Sequence, residues 1–546
     1  MLCKFFGVTL AILVACLVLS DRALAQSESS QRDATRPVGS TTVKKISATG
    51  SADGGAETSP EQKLAFLTLE ASEGASRGFA APMCSYGLLQ IGSTLAAFDA
   101  DKARSLLRDA FTSTMELRDD DDNKRRLQSE IMRTLVSLFQ SDAEQLLPQA
   151  VSGIRSGPIV TMMLGSYAKR KQWDKGLELL QQIASVDEFP YGGASVLMDA
   201  MPADMAAEKQ TLFTQALASY KSHEHPDTLI GNSTFTGMIS RFGLTMPPKL
   251  ALAAIDEVLS QAKAKAEKAQ ANEEIRLRGT GGSSQFTNDY QYQLFALLPT
   301  LRKLDEGRAK QFLDDNQDLQ AKMLQFPDGM NSLMPPRPPG AADGTAAKAG
   351  NTSARPVVSL QDYLRLDTQG KIDAIVQEAE SDPVQAIAHS MTLPLQLDKN
   401  SFPRARALEN IARSNVKKHP GSSDAALAQL IKVVADLPLS SETEYLTSAA
   451  DLYLQMDDKD KAGKAVTEGF KVAEKLLAQD TNPDSPNKGL KAWWPSTDAY
   501  RRFLELETKI SDRGALTMLK EIKDPEIQML GSVMVARALL GLPAMR

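Results

Sequence analysis

QWDKGLELLQQIA, residues 172–184, decides how the rest of the chain is read. Leu177, Leu180, Ile183 and Ala184 recur at spacings of three and four, the period of an α-helix with one buried face, and no strict alternation competes. Working outward, the same period returns in Ala405, Leu408, Ile411 and Ala412, then in Leu427, Leu430, Ile431 and Val434, and again in Val466, Phe470, Ala473 and Leu477. Lys417-Lys418-His419-Pro420-Gly421 sets cations in a last turn and then Pro-Gly, which stops a helix. From Lys249 to Arg278 the pattern starts amphipathic and becomes polar all round, so one long helix is expected until GTGGSSQ ends it. Alternating Val, Ile and Thr runs between turn signals are missing. The apolar content is carried by Ala and Leu, with aromatics at only 6%, and both residues lose little side-chain entropy in a helix. The expected fold is all-α.

Four helices share a grammar: DADKARSLLRDAF (99–111), QWDKGLELLQQIA (172–184), KLDEGRAKQFL (303–313) and DDKDKAGKAVTEGF (457–470). Each has a polar turn with Asp, then Lys or Arg, then a small residue and apolar residues three or four later. The small residues, Ala103, Gly176, Ala309 and Ala462, let a second helix come close. A tyrosine stands nine residues ahead of two of them, Tyr167 before Gly176 and Tyr453 before Ala462. The pattern resembles the tetratricopeptide repeat, whose helix pair has an aromatic on the first helix and a small residue on the second. The repeat's glycine and terminal proline are not regularly placed, and the gaps between the small residues share no period, so the resemblance is to repeats that have drifted. It implies antiparallel helix hairpins stacked as an α-solenoid, because hairpins that cannot bury both faces alone gain a continuous core by stacking.

At 546 residues the chain exceeds one ordinary core. MLCK followed by FFGVTLAILVACLVL and Ala23-Leu24-Ala25 reads as a signal peptide over residues 1–25, cleaved between Ala25 and Gln26. Its apolar run of about 15 residues falls short of the roughly 20 that span a bilayer. Leu13-Val14-Ala15-Cys16 resembles a lipoprotein box, so lipidation at Cys16 is a minor alternative, and an uncleaved anchor another. Residues 26–60 lack any apolar period and are expected to form a disordered leader. MPPRPPGAADGTAAKAGNTSARP, residues 334–356, holds five prolines and three glycines and is expected to link two arrays, at 61–333 and 357–546. Cleavage would leave Cys84 as the sole cysteine, expected to be a buried small residue, so no disulfide would form inside this periplasmic or extracellular protein. The formal charge of −6 becomes −7 without residues 1–25, which gives no footprint for nucleic acid.

The candidate chemistry is sparse. In YGLLQIGSTLA (86–96), Gly87-Leu88-Leu89-Gln90-Ile91, with Glu73 upstream, resembles the motif of lytic transglycosylases, which implies a protonated carboxyl beside a scissile sugar bond. Yet Gly74 stands where that family has serine after its glutamate, and Ser93 where it has proline. Leu88, Ile91 and Leu95 read equally as one buried helical stripe. Asp119, Asp121, Asn123 and Glu130 fall at the spacing of a calcium loop, but Lys124 occupies the position that needs glycine. His223 and His225 lie too close in sequence to share a helix face, His389 lacks a catalytic setting, and Gly279-Thr280-Gly281-Gly282 follows no expected strand. No cofactor fingerprint is present. Trp493-Trp494-Pro495 is either an aromatic ligand site or a lock between helix pairs.

The expectation is therefore a non-catalytic scaffold holding a protein or peptide on a concave helical surface. The alternatives are a peptidoglycan hydrolase built around Glu73 and a spacer without a ligand.

Overall fold

A computed structural model describes residues 59–543 except 156, 185–188, 224–233, 269–273, 335–366 and 488. The expected signal peptide with Cys16, Ala25 and Gln26, the leader up to Thr58, the linker beyond Met334 and His225 lie outside the described residues. The described chain is mostly helical. The helices of eight residues or more are α1 (Pro60–Ser76), α2 (Ala81–Leu95), α3 (Ala100–Thr114), α4 (Asp122–Leu138), α5 (Pro158–Lys169), α6 (Trp173–Ala184), α7 (Tyr191–Ala200), α8 (Ala206–Ser222), α9 (Phe235–Phe242), α10 (Pro248–Lys268), α11 (Asp289–Leu304), α12 (Glu306–Asp314) and α13 (Gln317–Gln325). They continue with α14 (Thr368–Glu378), α15 (Pro383–Ser390), α16 (Pro403–Asn415), α17 (Pro420–Val434), α18 (Leu439–Gln455), α19 (Lys459–Asp480), α20 (Pro495–Ile510), α21 (Asp512–Glu521) and α22 (Pro525–Leu539).

Aspartates of the shared grammar start three of the four helices, while Asp174 lies within the first turn of α6. Asp99, Asp305 and Asp458 each accept a hydrogen bond from the backbone N–H three residues on, at 2.9–3.0 Å, which satisfies donors the first helical turn leaves over. The small residues behind them are buried. Ala103, Ala309 and Ala462 are inaccessible or nearly so, and a Cβ on Gly176 would press on Leu197 at 3.0 Å.

The two tyrosines end their helices alike. Four residues after each stands a non-glycine residue in left-handed conformation, Lys171 at φ 57° and Asp457 at φ 61°. The next amide returns to the tyrosine carbonyl, Gln172 to Tyr167 at 3.0 Å and Asp458 to Tyr453 at 2.9 Å. Both are left-handed helix caps of the kind usually built on glycine. Lys171→Gly and Asp457→Gly are each expected to add about 0.5–1 kcal/mol, the relieved strain less glycine's larger unfolded-state entropy. Urea denaturation checks this, and a loss of stability would mean that the replaced side chain contributes something the turn needs.

Packing divides the chain into two compact units, one with described residues from Met1–Leu127 and Thr352–Arg546, the other from Gln128–Asn351. This differs from the division expected at the Pro/Gly stretch. In the first unit α16 pairs with α17, α18 with α19, and α19 with α20, while α22 packs against both α20 and α1. The reason lies in the last helix. Ile527, Met529, Leu530, Val533 and Met534 of α22 are all buried, more than the preceding hairpin can cover, and the buried Ala65 and Leu69 of α1 belong to the helix that packs there. The second unit centres on α5 with α7 and on α10 with α11.

One expectation is overturned within the second unit. The helix expected to reach Arg278 is described as far as Lys268, and the end of its expected span is instead the first strand of a two-stranded antiparallel hairpin, β1 (Ile275–Gly279) and β2 (Gly282–Phe286). Ile275 and Leu277 point inward while Arg276 and Arg278 point outward, an alternation that suits a half-buried strand. GTGGSSQ is thus a hairpin turn and its second strand, with Gly282 at φ 141°.

Candidate functional site

Gly87 to Ile91 lie inside α2, all of them buried. A Cβ on Gly87 would strike Ser76 and reach Met529 Cε at 2.8 Å, and one on Gly92 would meet Leu107 Cγ at 3.0 Å. These glycines let α2 sit close to α1, α22 and α3. Both oxygens of Glu73 are engaged by cations, Oε1 by Arg77 and Oε2 by Lys102, each at 3.1 Å. Cys84 is half-buried, more exposed than expected, with Sγ 3.6 Å from Ser113 Oγ.

The calcium-spaced acids meet a cation from their own chain. Lys124, only 3% exposed, sends its ammonium to Asp119 Oδ1 at 2.6 Å and to the Leu117 carbonyl at 3.1 Å. That pairing holds the Asp119 carboxyl below its usual range. Among the described residues no group of three or more His, Cys, Asp or Glu is placed to hold a metal ion. His223 is exposed, with Nδ1 2.9 Å from the Ser219 carbonyl. Nδ1 of His389 lies 2.7 Å from Glu378 Oε2, a contact that ties α15 to α14. No described helix is long and apolar enough to cross a membrane.

Trp493 and Trp494 are half-buried in the turn that leads into α20. Several bonds pin that turn. Lys491 Nζ reaches Asp524 at 2.7 Å and Glu526 at 3.0 Å, Thr497 Oγ1 donates to the Lys491 carbonyl at 2.7 Å, and Trp494 Nε1 donates to the Gly489 carbonyl at 3.1 Å. The buried Asp480 at the end of α19 accepts from Ser496 N at 3.0 Å and from Asn487 Nδ2 at 2.8 Å. The Trp493 ring meets Tyr86 of α2 edge-on, with centroids 6.3 Å apart, and the Arg126 guanidinium lies 3.6 Å above it. The indole therefore joins α2 and the start of α4 to the turn before α20.

Two features went unseen in the sequence reading. An open groove of about 540 Å³ runs along α19, past Lys459, Gly463, Lys464 and Thr467, and meets Glu507 and Ile510 of α20. Glu507 is 7% exposed, its Oε2 has no hydrogen-bond partner, and burial pushes its carboxyl above the usual range. Arg537 of α22 is likewise buried with its Nε unpartnered. Each had a signal in the sequence. Glu507 continues the stripe of Tyr500, Phe503 and Leu504, and Arg537 that of Leu530, Val533 and Met534, so each is a charge on the apolar face of an amphipathic helix.

Compared with known proteins, the chain matches no family model and no curated protein.

Proposed function

We propose that the chain is an exported, non-catalytic helical-repeat scaffold, its hairpins stacked as an α-solenoid, that holds a protein or peptide segment of a partner. The observation that carries this reading is Gly463 in the groove along α19. A glycine inside a helix costs about 0.5–1 kcal/mol relative to alanine, and packing gives no reason for it, since a Cβ there would meet nothing within 4 Å. Gly469, six residues on, differs, because a Cβ there would strike the Phe503 ring. Gly463 leaves bare backbone between Lys459 and Thr467, where an extended segment can lie close to the helix. Neighbour-to-neighbour pairing from α16 to α20 and the matching caps after Tyr167 and Tyr453 support the repeat reading. A hydrolase built on Glu73 gains no such support, since both its oxygens are taken up by Arg77 and Lys102.

The test is a photo-cross-linking residue at Thr467 in the full chain, with the exposed Leu324 as a control position. One partner segment should be captured reproducibly from position 467 and not from 324. Gly463→Leu should abolish that capture without lowering the melting temperature. Capture at undiminished yield in Gly463→Leu would rule the groove out as the site.

A further inference from the structure

Arg501 of α20 and Arg537 of α22 both reach side chains of α2. Helix α2 turns one face, Tyr86, Gln90 and Thr94 at successive helical turns, toward these two arginines. Arg537 is 8% exposed. Its Nη1 donates to Thr94 Oγ1 at 3.1 Å and its Nη2 to the Pro543 carbonyl at 2.8 Å, while Nε is sealed without a partner. The half-buried Arg501 uses its donors less well, with a long contact from Nη1 to Tyr86 Oη at 3.4 Å and one from Nη2 to Met534 Sδ at 3.9 Å. Between the two arginines along the α2 face, Gln90 Oε1 is buried and unpartnered, and the buried Nε1 of Trp493 is unpartnered too.

Among the described residues neither guanidinium forms an ion pair with a carboxylate. Glu505, the acid that bears on Arg537, is bonded to Lys509 at 3.1 Å. Trp493, which meets Tyr86 edge-on, stands beside this pair of arginines. Arginine does not discharge to escape burial, so a buried guanidinium beside another cation is costly unless an anion compensates it. Burial, and next the charge of Arg501, weaken the hold of Arg537 on its proton, while Glu505 acts in the opposite direction. Guanidinium forks match the paired oxygens of phosphate and carboxylate groups.

We propose that Arg501, backed by Arg537 and flanked by Trp493, binds an oxyanion, the phosphate or carboxylate group of a small ligand. The site shares α20 with the groove along α19 but none of its residues, since the groove's residues on α20 are Glu507 and Ile510.

The test uses the full chain with inorganic phosphate or acetate as probe and chloride at matched ionic strength as control. Thermal unfolding and the fluorescence of Trp493, in a Trp173→Phe and Trp494→Phe background, are the readouts. At least one oxyanion should raise the melting temperature saturably where chloride does not, and shift the fluorescence with the same midpoint. Phosphate acting alone would assign a phosphate-bearing ligand, and acetate acting as well would assign a carboxylate. Arg501→Gln should weaken the midpoint at least tenfold, and Arg537→Met should abolish the effect. A response equal to that of chloride, or a midpoint unchanged in Arg501→Gln, would overturn the proposal. If Arg537→Met did not fold, Arg501→Gln alone would still decide.

Discussion

Phe503→Ala is expected to lower the stability of the first unit by about 3–5 kcal/mol, the usual cost of emptying a fully buried aromatic site. Phe503 is inaccessible to solvent and lies against the backbone of α19 at Gly469, where a Cβ would strike three atoms of its ring. The glycine and the phenylalanine are thus two halves of one contact. Gly469→Ala in the native background should cost about 1–3 kcal/mol, because the ring has to move within a close-packed core. In the Phe503→Ala background the same change should cost far less, since the methyl enters the space the ring left. Urea denaturation of the four proteins gives the coupling. Additive losses would mean that α19 and α20 do not pack through this pair.

Glu507→Met is expected to stabilise the protein at pH 8 by about 1–3 kcal/mol, the scale for removing a buried polar group that has no partner. The gain should depend on pH, and its sign follows from the direction in which burial moves this carboxyl. The folded carboxyl keeps its proton to higher pH than the unfolded chain does. Between the ordinary glutamate range and the raised value the folded state therefore binds more protons, and wild-type stability falls as pH rises through that window, by at most about 1.4 kcal/mol per pH unit for one group. The advantage of Glu507→Met should be largest above the window and shrink as the pH falls below the ordinary range. A gap that does not change with pH would mean that Glu507 does not titrate there.

Much of the fold was legible because burial writes its period directly into the chain. The stripe Ala405, Leu408, Ile411 and Ala412 is buried throughout, and aspartate turns cap three of the four helices of the shared grammar. The hairpin at 275–286 was hidden because its strands are five residues each, and Ile-Arg-Leu-Arg at the end of a polar helical run offers too few alternations to outweigh the helical period before it. Trp493 and Trp494 were legible as aromatics in a loop. Their bonding was not, because Tyr86, Arg126 and Asp524 come from distant parts of the sequence. The groove left only faint traces: Gly463, a helix-interior glycine with nothing to pack against, and Glu507, a charge on an apolar stripe.

The sequence alone determined what depends on neighbours within a turn or two: helical class, caps, the close-packing small residues, and the interrupted stripes that mark Glu507 and Arg537. Tertiary structure decided what depends on which faces meet. It set α1 against α22 and so joined the two ends of the described chain in one unit. It turned the Gly87–Ile91 run into a packing surface and filled the acid loop with Lys124. It also brought Arg501 and Arg537 to Tyr86 and Thr94 across more than 400 residues of sequence. The physical reason is that helix formation is driven by local hydrogen bonds and side-chain period, whereas the choice of partner face follows from the apolar area each helix still has to cover, a quantity that no local pattern contains.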